Sequence, residues 1–271
     1  MADTYQRERE IAEQAAREAG ALILERLGAA GQVQYKSSVV DPVTAADRDS
    51  QALITERLLG AFPADLLLGE EGDARTPAGG SGRLWIVDPI DGTVNFLHGY
   101  PVFAVSIALY DADAVRVGVL YDPSRDEMFS AIRGQGATLN GTRLAVSDTR
   151  ELIASMVATG FPYDLAARRD TLPLFGRVIE RTQAVRRDGS AALNLAYVAC
   201  GRFDAYWERA VQPWDLAAAA LLVEEAAGRL SDYDGQAFDL WGGEVVASNG
   251  HVHDAMLELI ASVPPQERIH S

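Results

Sequence analysis

Apolar residues recur along the chain with two different periods, and the change from one to the other divides it. Near the start, Ile11, Ala15, Ala19, Leu22, Ile23 and Leu27 fall on one helical face, with Gly28 following as a stop. A second helix is predicted from Thr44 to Gly60, with Thr44 as cap, Asp47 three residues on, and Leu53, Ile54 and Leu58 as apolar face. Short apolar runs then take over. LWIVD (84–88) suits a buried strand. VFAVSIALY (102–110) and VRVGVLYD (115–122) read as strands joined by a tight turn around Ala112 and Asp113. EMFSAI (127–132) continues the sheet, and Asn140-Gly141 is a hairpin signal.

From about Ser147 helices and strands alternate. SMVATG, AVRRD, FDAYWE and EVVASN are predicted strands. TLPLFGRVIERT, SAALNLAYVACG and DLAAAALLVEEAAG are predicted helices, with a last helix near 252–262. The pattern predicts a mixed α/β or α+β layered protein with two sheets. It is read as one domain over 1–271, with subregions of about 1–146 and about 147–271.

Composition narrows the function. Hydrophobic residues make up 48% of 271, enough for a sizeable core. Twenty-four basic residues against 39 acidic ones give a net charge of −15, which opposes nucleic acid or an anionic membrane surface as partner. The same charge opposes an anionic substrate unless metal ions neutralise the acids around it. The single cysteine, Cys200, in the apolar run AYVACG, reads as a core residue. No signal peptide is visible and no apolar run reaches membrane-span length, so a cytoplasmic protein is expected.

Three acidic clusters follow apolar runs or open helices: Gly69-Glu70-Glu71-Gly72, Asp88-Pro89-Ile90-Asp91-Gly92-Thr93 and Trp214-Asp215. Each has an ordinary reading. Glu70-Glu71 fits a solvated turn, Asp-Pro-x-Asp-Gly a loop, and Asp215 a favourable acid in a first helical turn. Gly134-x-Gly136 lacks the third glycine and following helix of a dinucleotide site, and reads as loop glycines. The second cluster has a chemical reading as well. A strand delivers Asp88, Pro89 turns the chain, and Asp91 with the Ile90 carbonyl can converge on the same point. Such hard oxygen ligands suit Mg²⁺. Gly92 and Thr93 would then offer backbone N–H groups to an anion at the start of a short helix.

These residues carry a family likeness. WIVDPIDGTVNFLHGYP resembles the metal-binding motif of the inositol monophosphatase family, and PWDLAAAALLVEEAAG resembles its C-terminal signature. The likeness extends to GEEG, KSSVVDPVTAADRDSQ, YDPSRDEMFSAIRGQGATLNG and RRDGSAALNLAYVACGRFDAYWE, over roughly residues 5 to 260, and is closest to bacterial inositol-1-monophosphatases.

The resemblance implies an α/β/α/β/α sandwich, commonly a homodimer, inhibited by lithium. It implies that Glu70, Asp88, the Ile90 carbonyl, Asp91 and Asp215 hold two or three Mg²⁺ ions. Thr93 with Asp47 would orient and activate the attacking water, with Glu70 near it. Gly92 and Thr93 would bind phosphate, while Asp91, Gly189, Ser190, Ala191 and Glu208 would contact inositol. Two positions depart from the pattern: Gln212 stands where some animal members carry histidine, and Asp188 precedes Gly189 where an uncharged residue is expected. Both belong to the part that would read the alcohol. Fructose 1,6-bisphosphate, histidinol phosphate and a 3′-phosphonucleotide therefore remain alternative substrates. A regulatory binding protein that keeps the fold is an alternative of another kind.

Overall fold

The computed structural model describes residues 4–27, 34–35, 42–72 and 82–263; Gly28 and residues 36–41 of the KSSVV stretch lie outside these. The chain runs α1 (Gln6–Arg26), the short pair β1 (Gln34–Tyr35) and β2 (Pro42–Val43), α2 (Ala45–Ala61), β3 (Leu66–Gly69), β4 (Leu84–Asp91) and α3 (Thr93–Leu97). It continues through β5 (Ala104–Asp111), β6 (Ala114–Asp122), β7 (Glu127–Ile132), β8 (Gly136–Leu139) and β9 (Thr142–Arg143). The rest comprises β10 (Met156–Thr159), α4 (Leu165–Ile179), β11 (Ala184–Arg186), α5 (Ala191–Ala199), β12 (Ala205–Arg209), α6 (Pro213–Glu225), β13 (Arg229–Ser231), β14 (Glu244–Ser248) and α7 (His253–Ser262).

β3 to β9 form a seven-stranded sheet in sequence order. It is antiparallel throughout except for β3, which lies parallel to β4. The second sheet has the order β11-β10-β12-β14-β13, with β10 parallel to both its neighbours. Helices α1 and α2 cover one face of the large sheet, α5 and α6 fill the space between the sheets, and α4 and α7 cover the far face of the small one. The result is the expected five-layered α+β sandwich.

The middle layer explains the alanine-rich sequence of α6. Leu216 through Val223 are all buried, because sheets press on the helix from both sides. The buried face of α1 is Ala12, Ala15, Ala16, Ala19 and Ile23, while Ile11, Leu22 and Leu27, expected on that face, are only half-buried at its flanks. Small residues let α1 lie close on the sheet.

Both predicted tight turns form: Ala112 and Asp113, and likewise Asn140 and Gly141, have positive φ, as two-residue hairpins with the strand twist require. The helix expected at 171–182 starts earlier, at Leu165, because the Asp164 side chain accepts a hydrogen bond from the Ala167 N–H at 2.8 Å and caps it. Cys200 is half-buried against the middle core. Among the described residues no helix is long and apolar enough to cross a membrane.

Candidate active site

The centre of the site is a defect in β4. Asp88 pairs with Ser106 on β5, but Asp91 pairs with Ala104, so three steps on one strand face two on the other. In a regular strand residues three apart point to opposite faces. The extra residue at Pro89–Ile90 cancels that alternation and turns both carboxylates to one side. The turn expected after the strand is therefore a bulge within it. Gly92 follows with φ of 100°, and a Cβ there would stand 2.8 Å from the Val102 carbonyl, so glycine fits both the conformation and the space. Thr93 then opens α3.

Other elements converge on this bulge. The Glu70 N–H donates to the Val87 carbonyl at 3.1 Å, and Gln51 on α2 binds the next turn through the Glu71 N–H (3.0 Å) and the Gly72 carbonyl (2.8 Å). Asp215 arrives from the first turn of α6, which is tied to the sheet by the Ser106 hydroxyl donating to the Trp214 carbonyl at 3.1 Å. Carboxylate oxygens of Asp88, Asp91 and Asp215 lie within 4.8 Å of one another. All three carboxyls are pushed up, first by burial and then by neighbouring acids: Asp88 and Asp215 well above the usual range and Asp91 to about 6. Asp91 is held lowest because the Ser190 hydroxyl (2.5 Å) and the Ala192 N–H (2.8 Å) donate to it at the N-terminus of α5.

The donor set is entirely hard oxygen, and its three carboxylates reach one point. These residues fit a divalent cation such as Mg²⁺.

Asp47 sits behind this cluster, fully buried, and its two oxygens divide two tasks. Oδ2 accepts from the Thr44 N–H at 2.7 Å and the Thr44 hydroxyl at 2.5 Å, completing the capping box of α2. Oδ1 accepts from the Thr93 hydroxyl at 3.1 Å, and that hydroxyl also lies 3.0 Å from the Ile90 carbonyl. Asp215 behaves similarly: one oxygen accepts from the Gln212 N–H at 2.8 Å as half of a capping box, while the side chain belongs to the acidic cluster. For both aspartates the ordinary helix-cap reading and the site reading describe the same side chain.

A cavity of about 320 Å³ opens over the cluster. Glu70, Asp88, Ile90, Asp91, Gly92, Thr93, Gly189, Ser190, Ala191, Glu208 and Asp215 all line it, so every singled-out site residue except Asp47 meets it directly, and Asp47 meets it through Thr93. Of the two departures from the family pattern, Gln212 lines the cavity. Asp188 does not; its carbonyl accepts from the Asn95 side chain at 2.7 Å, which links the β4–α3 corner to the start of α5.

Glu208 lines the same cavity from the small sheet. It stands on β12, two residues from Tyr206 and on the same strand face, and the Tyr206 hydroxyl donates to its Oε2. A Cβ at Gly160 would overlap both of its carboxylate oxygens, so a side chain there would displace the Glu208 carboxylate. Burial pushes the Glu208 carboxyl up to about 7, although the Tyr206 bond and nearby Arg187 act to lower it.

Sequence reading missed several wall residues: the stretch Gly160 to Tyr163, Arg187 and Asn194. Gly160-Phe161-Pro162, at the end of the predicted strand SMVATG, is the available signal, since loops at the carboxyl ends of parallel strands line crevices.

Comparison with known proteins agrees with this geometry. The family model described as "Inositol monophosphatase family" matches residues 4–265. An inositol-1-monophosphatase of Synechocystis sp. is 43% identical over 261 residues, covering 94% of this chain and 89% of its own. A protein of Pseudomonas aeruginosa named Nus factor SuhB is 41% identical, covering 94% of this chain and 96% of its own. The crystal structure of extragenic suppressor protein suhB from Bartonella henselae superposes with a TM-score of 0.91 at 38% identity, covering 95% of this chain and 99% of that one. Sequence match, fold and clustered carboxylates agree: this chain belongs to the inositol monophosphatase family.

Proposed function

We propose that the protein is a Mg²⁺-dependent phosphatase that hydrolyses inositol monophosphate to inositol and phosphate. The observation that carries this reading is the β4 bulge, which gathers Asp88 and Asp91 beside Asp215 while placing Thr93 over buried Asp47.

Two or three Mg²⁺ ions held by Glu70, Asp88, the Ile90 carbonyl, Asp91 and Asp215 would offset the charge of the phosphate and acidify a water beside it. The remaining work falls to the chain's own groups. The Thr93 proton is committed to Asp47 Oδ1 and the Ile90 carbonyl, so its oxygen meets the cavity as an acceptor. That oxygen takes a hydrogen bond from the attacking water. As the water attacks phosphorus, its proton passes to Thr93, whose own proton moves to Asp47; the bond from phosphorus to the inositol oxygen breaks, and the departing alkoxide takes a proton from solvent water to leave as inositol. Gly92 and Thr93 receive the phosphate. Glu208, Gly189, Ser190 and Ala191 face the inositol, with Ser190 and Ala191 acting partly by holding Asp91. Cys200 does not line the cavity, and no covalent phosphoenzyme is required.

The test is phosphate release from about a dozen phosphomonoesters, including fructose 1,6-bisphosphate, histidinol phosphate and a 3′-phosphonucleotide, with Mg²⁺ and with excess chelator. Highest kcat/KM on inositol monophosphate, lost on chelation, is the expected result. Full activity in chelator overturns the mechanism, and a clear preference for another ester overturns the substrate. Lithium should inhibit in the millimolar range, and Asp215→Asn should weaken that inhibition. The assembly we propose is a homodimer, measurable by light scattering, and the compartment the cytoplasm.

The name of the Pseudomonas relative favours one second reading, a regulatory binding role on the same fold. The intact set of acidic ligands argues that any such role accompanies catalysis. Absence of phosphatase activity on every ester in millimolar Mg²⁺ would put the regulatory reading first.

A further inference from the structure

Helix α5 carries one residue out of keeping with its surroundings. Its buried positions are otherwise apolar or aromatic, among them Ala192, Leu193, Leu195, Ala196 and Val198, as expected of a helix between two sheets. Asn194 lies among them, 1% exposed, and its Oδ1 is buried without any hydrogen-bond partner. Asparagine is a poor choice for a helix interior, and a buried carboxamide with an unmade bond costs free energy. Buried polar atoms are nearly always paired, so an exception calls for a partner that is not protein.

No local duty accounts for it. The cap of α5 is complete without Asn194: the Ser190 hydroxyl accepts from the Leu193 N–H at 3.3 Å and donates to Asp91. The Asn194 backbone N–H bonds the Ser190 carbonyl at 3.1 Å, so the helical ladder is closed. Side chains on a helix lean toward its N-terminus, which places the Asn194 carboxamide over Ser190 and Ala191, one turn back. All three residues line the active-site cavity.

We infer that Asn194 is a substrate-binding residue that reads a hydroxyl group of the alcohol. Its free acceptor requires a donor, and a phosphate dianion or a carboxylate has none to give. A hydroxyl both donates and accepts, matching the two ends of a carboxamide. Asn194 and Glu208 line the same cavity, and together they select polyhydroxylated alcohols over flat or apolar ones.

The inference rests on the phosphatase reading, and the experiment separates the two. Wild-type protein is assayed in saturating Mg²⁺ on inositol 1-phosphate and on p-nitrophenyl phosphate, which has no hydroxyl. No turnover of either by wild type would count against the phosphatase reading itself. Given activity, Asn194→Leu, of similar size, should raise KM for inositol phosphate about tenfold and for the aryl ester less than threefold. Its thermal midpoint should equal or exceed that of wild type, because an unpaired buried amide is removed. Equal KM changes on both esters, or none, would overturn the assignment and leave Asn194 holding only a buried water. So would a shift in Mg²⁺ half-activation as large as the KM shift, since Asn194 would then act on the metals. If the leucine does not fold, Asn194→Ala gives the same differential readout.

Discussion

The two ends of the cavity are built to different standards. At the metal end, carboxylate oxygens are held by donors from the chain itself. Asp47 accepts from Thr44 twice and from Thr93, Asp88 from the Ile90 N–H, and Asp91 from Ser190, Ala191 and Ala192. The acceptors come from β4 and α2, packed within or on the large sheet, and their donors from the α2 cap, β4, α3 and the start of α5. At the alcohol end, Glu208 receives one side-chain bond, from Tyr206, and the Asn194 acceptor receives none. On the proposed mechanism the difference separates chemistry from recognition: the groups that would handle charge are fixed before substrate arrives, whereas Glu208 and Asn194, which would read the alcohol, keep hydrogen-bonding capacity in reserve. Substitutions at the first end should destroy turnover on every ester, and substitutions at the second should change which ester is preferred.

The largest effect is expected from the metal cluster. Asp88→Asn removes a buried charge from the centre of the donor set, and kcat should fall by about 10³-fold or more on inositol phosphate and aryl phosphate alike. Excess chelator should abolish turnover of wild type equally on both. Activity surviving on one ester only would mean that the ends are not independent. Next comes Asp47→Asn. Since its oxygens split between cap and Thr93, both consequences are expected in one molecule: kcat lower by roughly 10²–10⁴-fold, and a thermal midpoint lowered by the loss of about 1 kcal/mol of capping. Near-native kcat with a lowered midpoint would confine Asp47 to the cap.

A smaller and more selective effect is expected at Tyr206. Tyr206→Phe keeps the packing of a fully buried ring but removes the hydroxyl that fixes Glu208. A hydrogen bond to a charged acceptor is worth about 1.5–3 kcal/mol, so KM for inositol phosphate should rise about tenfold, with kcat within about threefold of wild type. Glu208→Gln should move the same parameter, and the double variant should cost less than the sum of the singles because both act through one carboxylate. Additive effects would show that Tyr206 does not work through Glu208.

These two ends were not equally legible in the sequence. The metal end is local. Asp88, Asp91, Gly92 and Thr93 lie within six residues, and the strand that precedes them fixes where they appear. Asp47 is visible as the third-position acid of a capping box and Asp215 as an acid in a first helical turn, patterns that say nothing by themselves about a second use for the other oxygen. The alcohol end is assembled from Gly160, Asn194 and Glu208, which meet only because β10 and β12 lie side by side and α5 packs across them. Parallel strands place residues tens of positions apart in contact, and no short-range pattern reports that. Asn194 is the extreme case, since inside the apolar run SAALNLAYVACG it reads as a tolerated irregularity until the cavity beside it is seen. The early start of α4 was missed for a different reason: its first turns carry Arg168, Arg169 and Asp170 instead of an apolar stripe, and the Asp164 cap sets the start.

The smallest kinetic effect, and a test of whether the far side of the small sheet is independent of the site, is expected at His253. It opens α7, is fully buried, and its ring nitrogens pair with Ser231 on β13 and Ser248 on β14, each at 2.9 Å. Burial, reinforced by the positive charge of Arg229, lowers its pKa to about 4. In the unfolded chain it returns to about 6.5. Above pH 6.5 both states are neutral there and the group adds no pH dependence. As pH falls from 6.5 toward 4 the unfolded state takes up a proton that the folded state refuses, so stability is lost across that window, by a total on the order of 3 kcal/mol, and no further below it. Asn is close in size to the ring's near half, can keep one serine bond, and cannot titrate. His253→Asn should therefore lower the thermal midpoint at pH 7.5, through lost packing, yet flatten its decline between pH 6.5 and 4.5 relative to wild type. Both proteins are compared in saturating Mg²⁺, so that the site carboxylates contribute equally. Turnover on inositol phosphate at pH 7.5 should stay within twofold of wild type, because β13, β14 and α7 supply no residue to the cavity. Parallel midpoint curves for the two proteins would assign the acid limb to other groups, and a fall in turnover beyond tenfold would show that the small sheet transmits strain to Glu208.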